Sequence, residues 1–293
     1  SILMSERGEP MDKLKDVIME FLSPEANLFV YSLSFGLLLS LAPGLIIFAM
    51  MFKWGTFLDI NVVIDLFRSL HLSGDIQAII EDIFMEFMNK DYGFIPAITT
   101  LCLSFWLASR SIFSFLLISA SHEKVDVVKF SIRIQSLFMF IILVALLIGS
   151  VFLATLLYNL VDPSLLPLIA AVIMVPVFSL MYRALSFRKR SLTFGLVGGL
   201  FTTTAMILLF YLSFILIHQM ITYNRIYGSL ASLVALLLVI YIIGSVIYLG
   251  FLLNLVFEES YGKEEKLPMK HKQYYRLCER VYKRLPFVQK TSE

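Results

Sequence analysis

"NLFVYSLSFGLLLSLAPGLIIFAMMF", Asn27 to Phe52, runs for 26 residues without a charge. An α-helix rises 1.5 Å per residue, so about 20 apolar residues cross roughly 30 Å of hydrocarbon. The run is therefore a membrane span, and it carries Ser40, Pro43 and Gly44 in its interior. A proline inside a helix removes one backbone donor and crowds the carbonyl four residues earlier, here that of Leu39. An unpaired carbonyl in hydrocarbon costs several kcal/mol. The expectation is a helix loosened at Pro43 beside polar groups, with Ser40 and Asn254 satisfying what the proline frees.

The rest of the chain repeats the pattern. Its apolar fraction is 59% and its charged fraction 16%, against roughly 45–50% and about 25% in soluble domains. Nearly uncharged runs recur over 94–109, 134–161, 164–182, 191–217 and 226–257. The fold class expected is an all-α membrane protein of six transmembrane helices. Lys and Arg alternate from side to side: 19 fall in the N-terminal segment, the second and fourth loops and the tail, and 4 in the other three loops. Cytoplasmic loops carry that excess, which places both termini in the cytoplasm. Residues 1–26 mix both charges and lack a cleavage-site pattern, so the first span reads as an uncleaved anchor.

Three parts follow. Residues 1–26 hold an amphipathic cytoplasmic helix, because Leu14, Val17, Ile18, Phe21 and Leu22 keep three-four spacing before Ser23-Pro24 stops it. Residues 27–258 form the six-span domain. Its one sizeable loop, 53–93, is extracytoplasmic and acidic, with an apolar stripe through Ile76, Ile79, Ile80, Ile83, Phe84 and Phe87. Amphipathic helices are expected there, capping the outer ends of the spans rather than lying on anionic headgroups. Residues 259–293 form a basic cytoplasmic tail interleaved with Tyr274, Tyr275 and Tyr282. Directly after a last span, such a tail suits the anionic inner leaflet better than nucleic acid.

Enzymatic chemistry needs convergent polar groups, and the pattern offers few. The four histidines, His71, His122, His218 and His271, lie in four separate segments with no metal-ligand spacing. There is no phosphate loop, no nucleophile elbow and no acid inside a span. No catalytic residue, metal or cofactor is expected. Cys102 and Cys278 imply no disulfide framework.

The spans hold instead a sparse set of polar and helix-bending residues. Pro176 interrupts span four as Pro43 interrupts span one, and broken helices at corresponding places in two inverted halves are a transporter pattern; proline is also a plain kink in membrane helices. Arg110, in "FWLASRSIFSFLL", is the one charge in an apolar segment. It is either a cavity cation or an arginine snorkelling to the headgroups. Trp106 sits a turn before it, and Asn254 near the same membrane face. Gly195 and Gly199 are spaced for close helix packing.

"SLAP" at Ser40–Pro43, "WLASR" at Trp106–Arg110, and "YGSLASLVALLLVIY" with "LGFLLNLVFEE" in span six resemble the YihY/BrkB family of bacterial inner-membrane proteins. The likeness runs from about Asn27 to Glu259 and is sharpest at Tyr227-Gly228-Ser229-Leu230, Tyr241, Gly250 and Asn254. Where such proteins often carry two adjacent aromatics ahead of Ser-Leu-x-Pro, this chain has Phe35 and Gly36. The resemblance implies six helices with both termini inside, at the bacterial cytoplasmic membrane. It also carries an old ribonuclease BN label that the residue inventory argues against, and exporter-like suggestions without a substrate.

Two functions stay open. In one, an exporter-like transporter moves an unknown small solute through a cytoplasm-facing cavity between spans one, two, four and six. Its pathway residues are Arg110, Ser40, Pro43, Gly44, Trp106, Asn254, Tyr227 and Pro176, with Gly195, Gly199 and Gly228 packing helices. In the other, a solid bundle serves as a scaffold whose tail and acidic loop recruit lipid or protein.

Overall fold

The computed structural model of the chain describes residues 10–54, 94–158, 166–191, 193–227, 229–258 and 267–283. Among these residues there are eight helices and no strand: α1 (Pro10–Phe21), α2 (Pro24–Trp54), α3 (Phe94–His122), α4 (Lys129–Tyr158), α5 (Leu166–Leu185), α6 (Leu196–Tyr227), α7 (Ser229–Val256) and α8 (Lys272–Lys283). The six apolar runs fall on α2 to α7. Windows in α3, α4 and α7 are long and apolar enough to cross a membrane, and the bent pair α1–α2 passes with them. Only 22–39% of the residues in those three windows are buried, while Leu103, Phe138, Leu153, Leu208 and Leu238 stand exposed. Apolar side chains on this scale face outward only when the surroundings are themselves apolar, and the chain is a membrane protein. The helices expected in 53–93 lie outside the described residues beyond Trp54.

Ser23 does more than stop α1. Its Oγ accepts the Ala26 N–H at 3.1 Å, capping α2, and Pro24 takes the first helical position, where no donor is needed. The two helices meet at 68°. Part of the predicted stripe of α1 packs inward, Val17 fully and Phe21 partly, while Met11, Leu14, Ile18 and Leu22 remain exposed. An exposed apolar face beside a bundle of spans suits the headgroup boundary.

Consecutive helices from α2 to α7 are neighbours, and α7 returns to pack on α2, so the six close into a ring. Glycines set several of the seams. Gly36 of α2 lies on the Ser111 backbone of α3, and Gly244 of α7 on Ser34 of α2. Gly198 of α6 lies on the Gly250 carbonyl of α7, and Gly195 and Gly199 against Ser179 and Val175 of α5. In lipid, where tails are as apolar as leucine, close backbone approach replaces the hydrophobic drive. Gly195 is also the position that needs its missing side chain for conformation: its φ is +102° as the chain turns into α6.

α2 runs unbroken through Pro43, so the expected break does not occur. The Ser40 hydroxyl donates to the Leu37 carbonyl at 2.9 Å, a local bond that leaves the helix intact, and Asn254 bonds elsewhere. α5 likewise continues through Pro176, whose ring is exposed on the outside. The tail also departs from a purely lipid-bound arm. Residues 267–283 fold back onto the bundle, where Arg188 and Met269 form an antiparallel bridge and α8 packs on α4. Lys189 N–H donates to Pro268 O at 2.8 Å and Lys270 N–H to Phe187 O at 2.7 Å. Tyr275 is buried and bonds Gln135, Tyr274 donates to Ser131 O at 3.0 Å, and Cys278 is buried.

Candidate functional site

Closing six helices into a ring leaves the question of what fills the middle. Toward the basic end it is a dense aromatic core. The Phe115 and Phe251 rings meet edge to face at 5.2 Å, and His122 lies against Phe29, Tyr248 and Phe251. The buried Tyr182 hydroxyl donates to the Ile247 carbonyl at 2.9 Å and shares a 2.7 Å bond with Thr202. Beside this core lies a cavity of about 240 Å³, lined among others by Leu37 of α2, Ser111 and Phe115 of α3, Phe140 of α4, Met181 of α5 and Ile247 of α7. The cavity is open to its surroundings over much of its wall. With one hydroxyl in an otherwise apolar lining, it suits hydrocarbon better than water, which needs several polar partners to stay.

A buried ionic joint closes the basic end. Glu123, just past α3, is fully buried. Its carboxylate accepts the Ser186 hydroxyl at 2.5 Å, the Phe187 and Arg188 N–H groups at 2.8 and 3.0 Å, and the Arg190 guanidinium at 3.0 Å. Arg190 also pairs with Glu258 at the end of α7, and its guanidinium lies 4.8 Å from the Phe194 ring centre. Arg188 donates to the Glu123 carbonyl and to that of Leu267. Lys270 donates to the Arg183 and Ser186 carbonyls at 2.5 and 2.9 Å. Burial lowers its ammonium group to about 8, with Glu123 opposing the shift and Arg183 and Arg190 adding to it. Three segments distant in sequence thus meet on one carboxylate and one guanidinium, and the tail is held on the same loop. None of these groups stands out in the sequence: Glu123 reads as a loop acid, and Arg188-Lys189-Arg190 as a sidedness signal.

The residues singled out from sequence do not converge on one point. Ser111 lines the cavity, whereas Arg110 beside it is exposed and is not part of that lining. Trp106 is half exposed and serves Arg133, which donates to its carbonyl at 2.6 Å and stacks over its ring at 4.1 Å. The cavity is lined from α2, α3, α4, α5 and α7. Ser40, Pro43 and Gly44 lie one to two turns along α2 from Leu37. Asn254 is remote from them at the basic end of α7, where its Oδ1 accepts the Gly198 N–H at 2.7 Å. Tyr227 ends α6, and Gly228 lies outside the described residues. No group of three His, Cys, Asp or Glu among the described residues is placed to hold a metal ion.

No curated protein and no solved structure matches the chain. A family does: the one described as Virulence factor BrkB matches residues 17–274, a stretch that takes in the whole helical ring, the ionic joint and the tail as far as Tyr274, and the chain belongs to that family.

Proposed function

We propose that the chain is a multi-pass transporter of the bacterial inner membrane that moves an amphipathic solute by exporter-like alternating access through the cavity in its ring. All six apolar helices span, and the end bearing α1, the ionic joint and α8 is cytoplasmic, in line with the lysine and arginine count. The observation that carries this reading is the apolar recess of about 240 Å³ between five helices of the ring, open on one side, because a solid scaffold has no need of one. Its lining asks for an apolar portion in the solute. The exposed Arg110 and the Arg133–Trp106 stack belong to the headgroup boundary in this reading, and the exposed cations Lys272, Arg276 and Arg280 of α8 face anionic lipid. No catalytic step is assigned, and purified protein is expected to cleave no RNA above a control preparation.

The test is to fill the cavity. Ser111→Phe and Met181→Trp add bulk inside the ring, and Leu208→Trp adds it on the exposed outer face. Media from expressing cells are compared by mass spectrometry. A released species that needs the wild type, persists with Leu208→Trp and disappears with both filled variants, at equal membrane abundance, is the expected result. Release that is unchanged by filling, or media that do not differ at all, defeats the reading.

A further inference from the structure

Trp106, Arg110 and Phe113 follow one another at four and three residues along α3, so they share one face of that helix. Arg133 of α4 lies across the same face: its guanidinium stacks 4.1 Å from the Trp106 ring centre and 5.6 Å from that of Phe113. The two arginines, one from each helix, stand close enough for Arg133 to feel the charge of Arg110. We propose that they bind the phosphate of an anionic phospholipid, with Trp106 against its acyl chain.

Nothing among the described residues neutralises this pair. α3 and α4 carry no Asp or Glu, and neither arginine forms an ion pair among the described residues. Arg110 is exposed. Arg133 donates to the Trp106 carbonyl at 2.6 Å, which leaves most of the donors of its planar fork unused. That bond and the ring stack hold the fork in place, so little freedom is lost when an anion arrives. Two like charges at a hydrocarbon edge repel one another, and an oxyanion between them replaces the repulsion with charge-assisted hydrogen bonds.

The level in the membrane selects a lipid over a free anion. Phe105 meets Phe140 edge to face at 5.1 Å while Phe113 lies by Arg133, so α3 and α4 run antiparallel with the two arginines within about one turn of each other. α3 is uncharged from Phe94 to Ser109 and α4 from Ile134 to Tyr158. Both arginines thus stand where the apolar surface of the two helices ends, the level at which phospholipids carry their phosphates. Trp106, one turn further into the apolar stretch, is 49% exposed and lies where a chain descending from that phosphate passes. The proposal rests on α3 and α4 crossing the membrane and is independent of the transport reading.

The experiment places the full chain with Trp54→Phe in phosphatidylcholine vesicles, which leaves Trp106 as the only tryptophan. Increasing fractions of dibrominated phosphatidylglycerol or, separately, dibrominated phosphatidylcholine are included, since a brominated chain quenches an indole that it touches. Phosphatidylglycerol should reach half-quenching at a several-fold lower fraction than phosphatidylcholine. Arg110→Gln, at an exposed position, and Arg133→Gln should each cut that preference about fivefold, the effect of one cation beside an anionic headgroup. Comparing two lipids within one variant cancels any change in Trp106 emission itself. Arg110→Lys should keep part of the preference, and Lys272→Gln on α8 all of it. Equal quenching by the two lipids in the parent, or a preference that survives both glutamine variants, overturns the proposal. So does a preference lost in Lys272→Gln, which traces it to general attraction, or one abolished by inorganic phosphate at constant ionic strength, which assigns the pair to a free anion.

Discussion

Glu123→Gln isolates the ionic joint with the least change of shape. The carboxylate holds four donors: two backbone N–H groups, a hydroxyl and a guanidinium. A carboxamide accepts on one side only and turns an N–H₂ group toward the donors on the other. Two charge-assisted bonds are lost, at about 1.5–3 kcal/mol each, and breaking a buried ion pair from one side costs about 3–5 kcal/mol. The two routes agree, and the expected loss is about 3–5 kcal/mol. At about 2–4 °C per kcal/mol for chains of this size, the apparent melting temperature in detergent should drop by about 10 °C. Arg190→Met breaks the same pair from the other side, so the double variant should lose much less than the sum of the two. Buried Cys278 supplies a local readout: with Cys102 replaced by Ala, maleimide should reach Cys278 faster in Glu123→Gln than in the parent, because the tail rests on the loop that Glu123 holds. A drop below about 1 kcal/mol, or additive losses in the double variant, refutes the view that this carboxylate ties the basic end together.

Further tests follow from single contacts. Gly198→Ala drives a methyl into the Gly250 carbonyl and the Asn254 carboxamide and should abolish folded protein. Gly149→Ala in α4, with nothing within 4 Å, should instead be neutral or stabilise by up to about 1 kcal/mol through helix propensity; equal behaviour of the two contradicts the α6–α7 seam. Lys270 loses its proton near pH 8 in the folded protein but near 10.5 when unfolded, so the unfolded state binds more protons between those values and this group's contribution to stability rises with pH. The melting temperature of the wild type relative to Lys270→Met should therefore climb from pH 7.5 to 9.5, and a flat difference means the amine stays charged. With native cysteines removed, impermeant maleimide on intact cells should label Asp75→Cys and leave Asp126→Cys unlabelled; the reverse pattern inverts the membrane orientation.

Much of the fold is legible in the sequence because membrane insertion is read out by composition. Asn27–Phe52 and its five counterparts need only be long and apolar to become helices, and all six lie on helices of at least 20 residues. The spacing of Gly195 and Gly199 also announces a close seam, which α5 occupies. Pro43 misleads because proline removes one bond whose loss a long helix absorbs while its flanking turns stay intact. The Gly198–Gly250 contact is invisible from sequence, since the two residues lie on separate helices and only the ring brings them together.

The site divides along the same line. Asn254 stands out as a polar residue among apolar neighbours, whereas Glu123 and Arg190 resemble the solvated charges of any cytoplasmic loop. Their donors and acceptors come from 63 to 68 residues away, a separation at which no periodicity survives. Their placement has a mechanical consequence for the transport reading. An ion pair costs least where the chain still has backbone donors and loop turns to satisfy it, at the ends of spans. There, Glu123 joins the end of α3 to the α5–α6 loop, Arg190 joins that loop to the end of α7, and Lys270 adds the tail. The helices are thus stapled at one end, while the cavity beyond the aromatic core is bordered by side chains with no ionic partner. Among the described residues the ion pairs all gather at this one end of the ring. Alternating access in this protein would then proceed by splaying of the far ends about a fixed basic end.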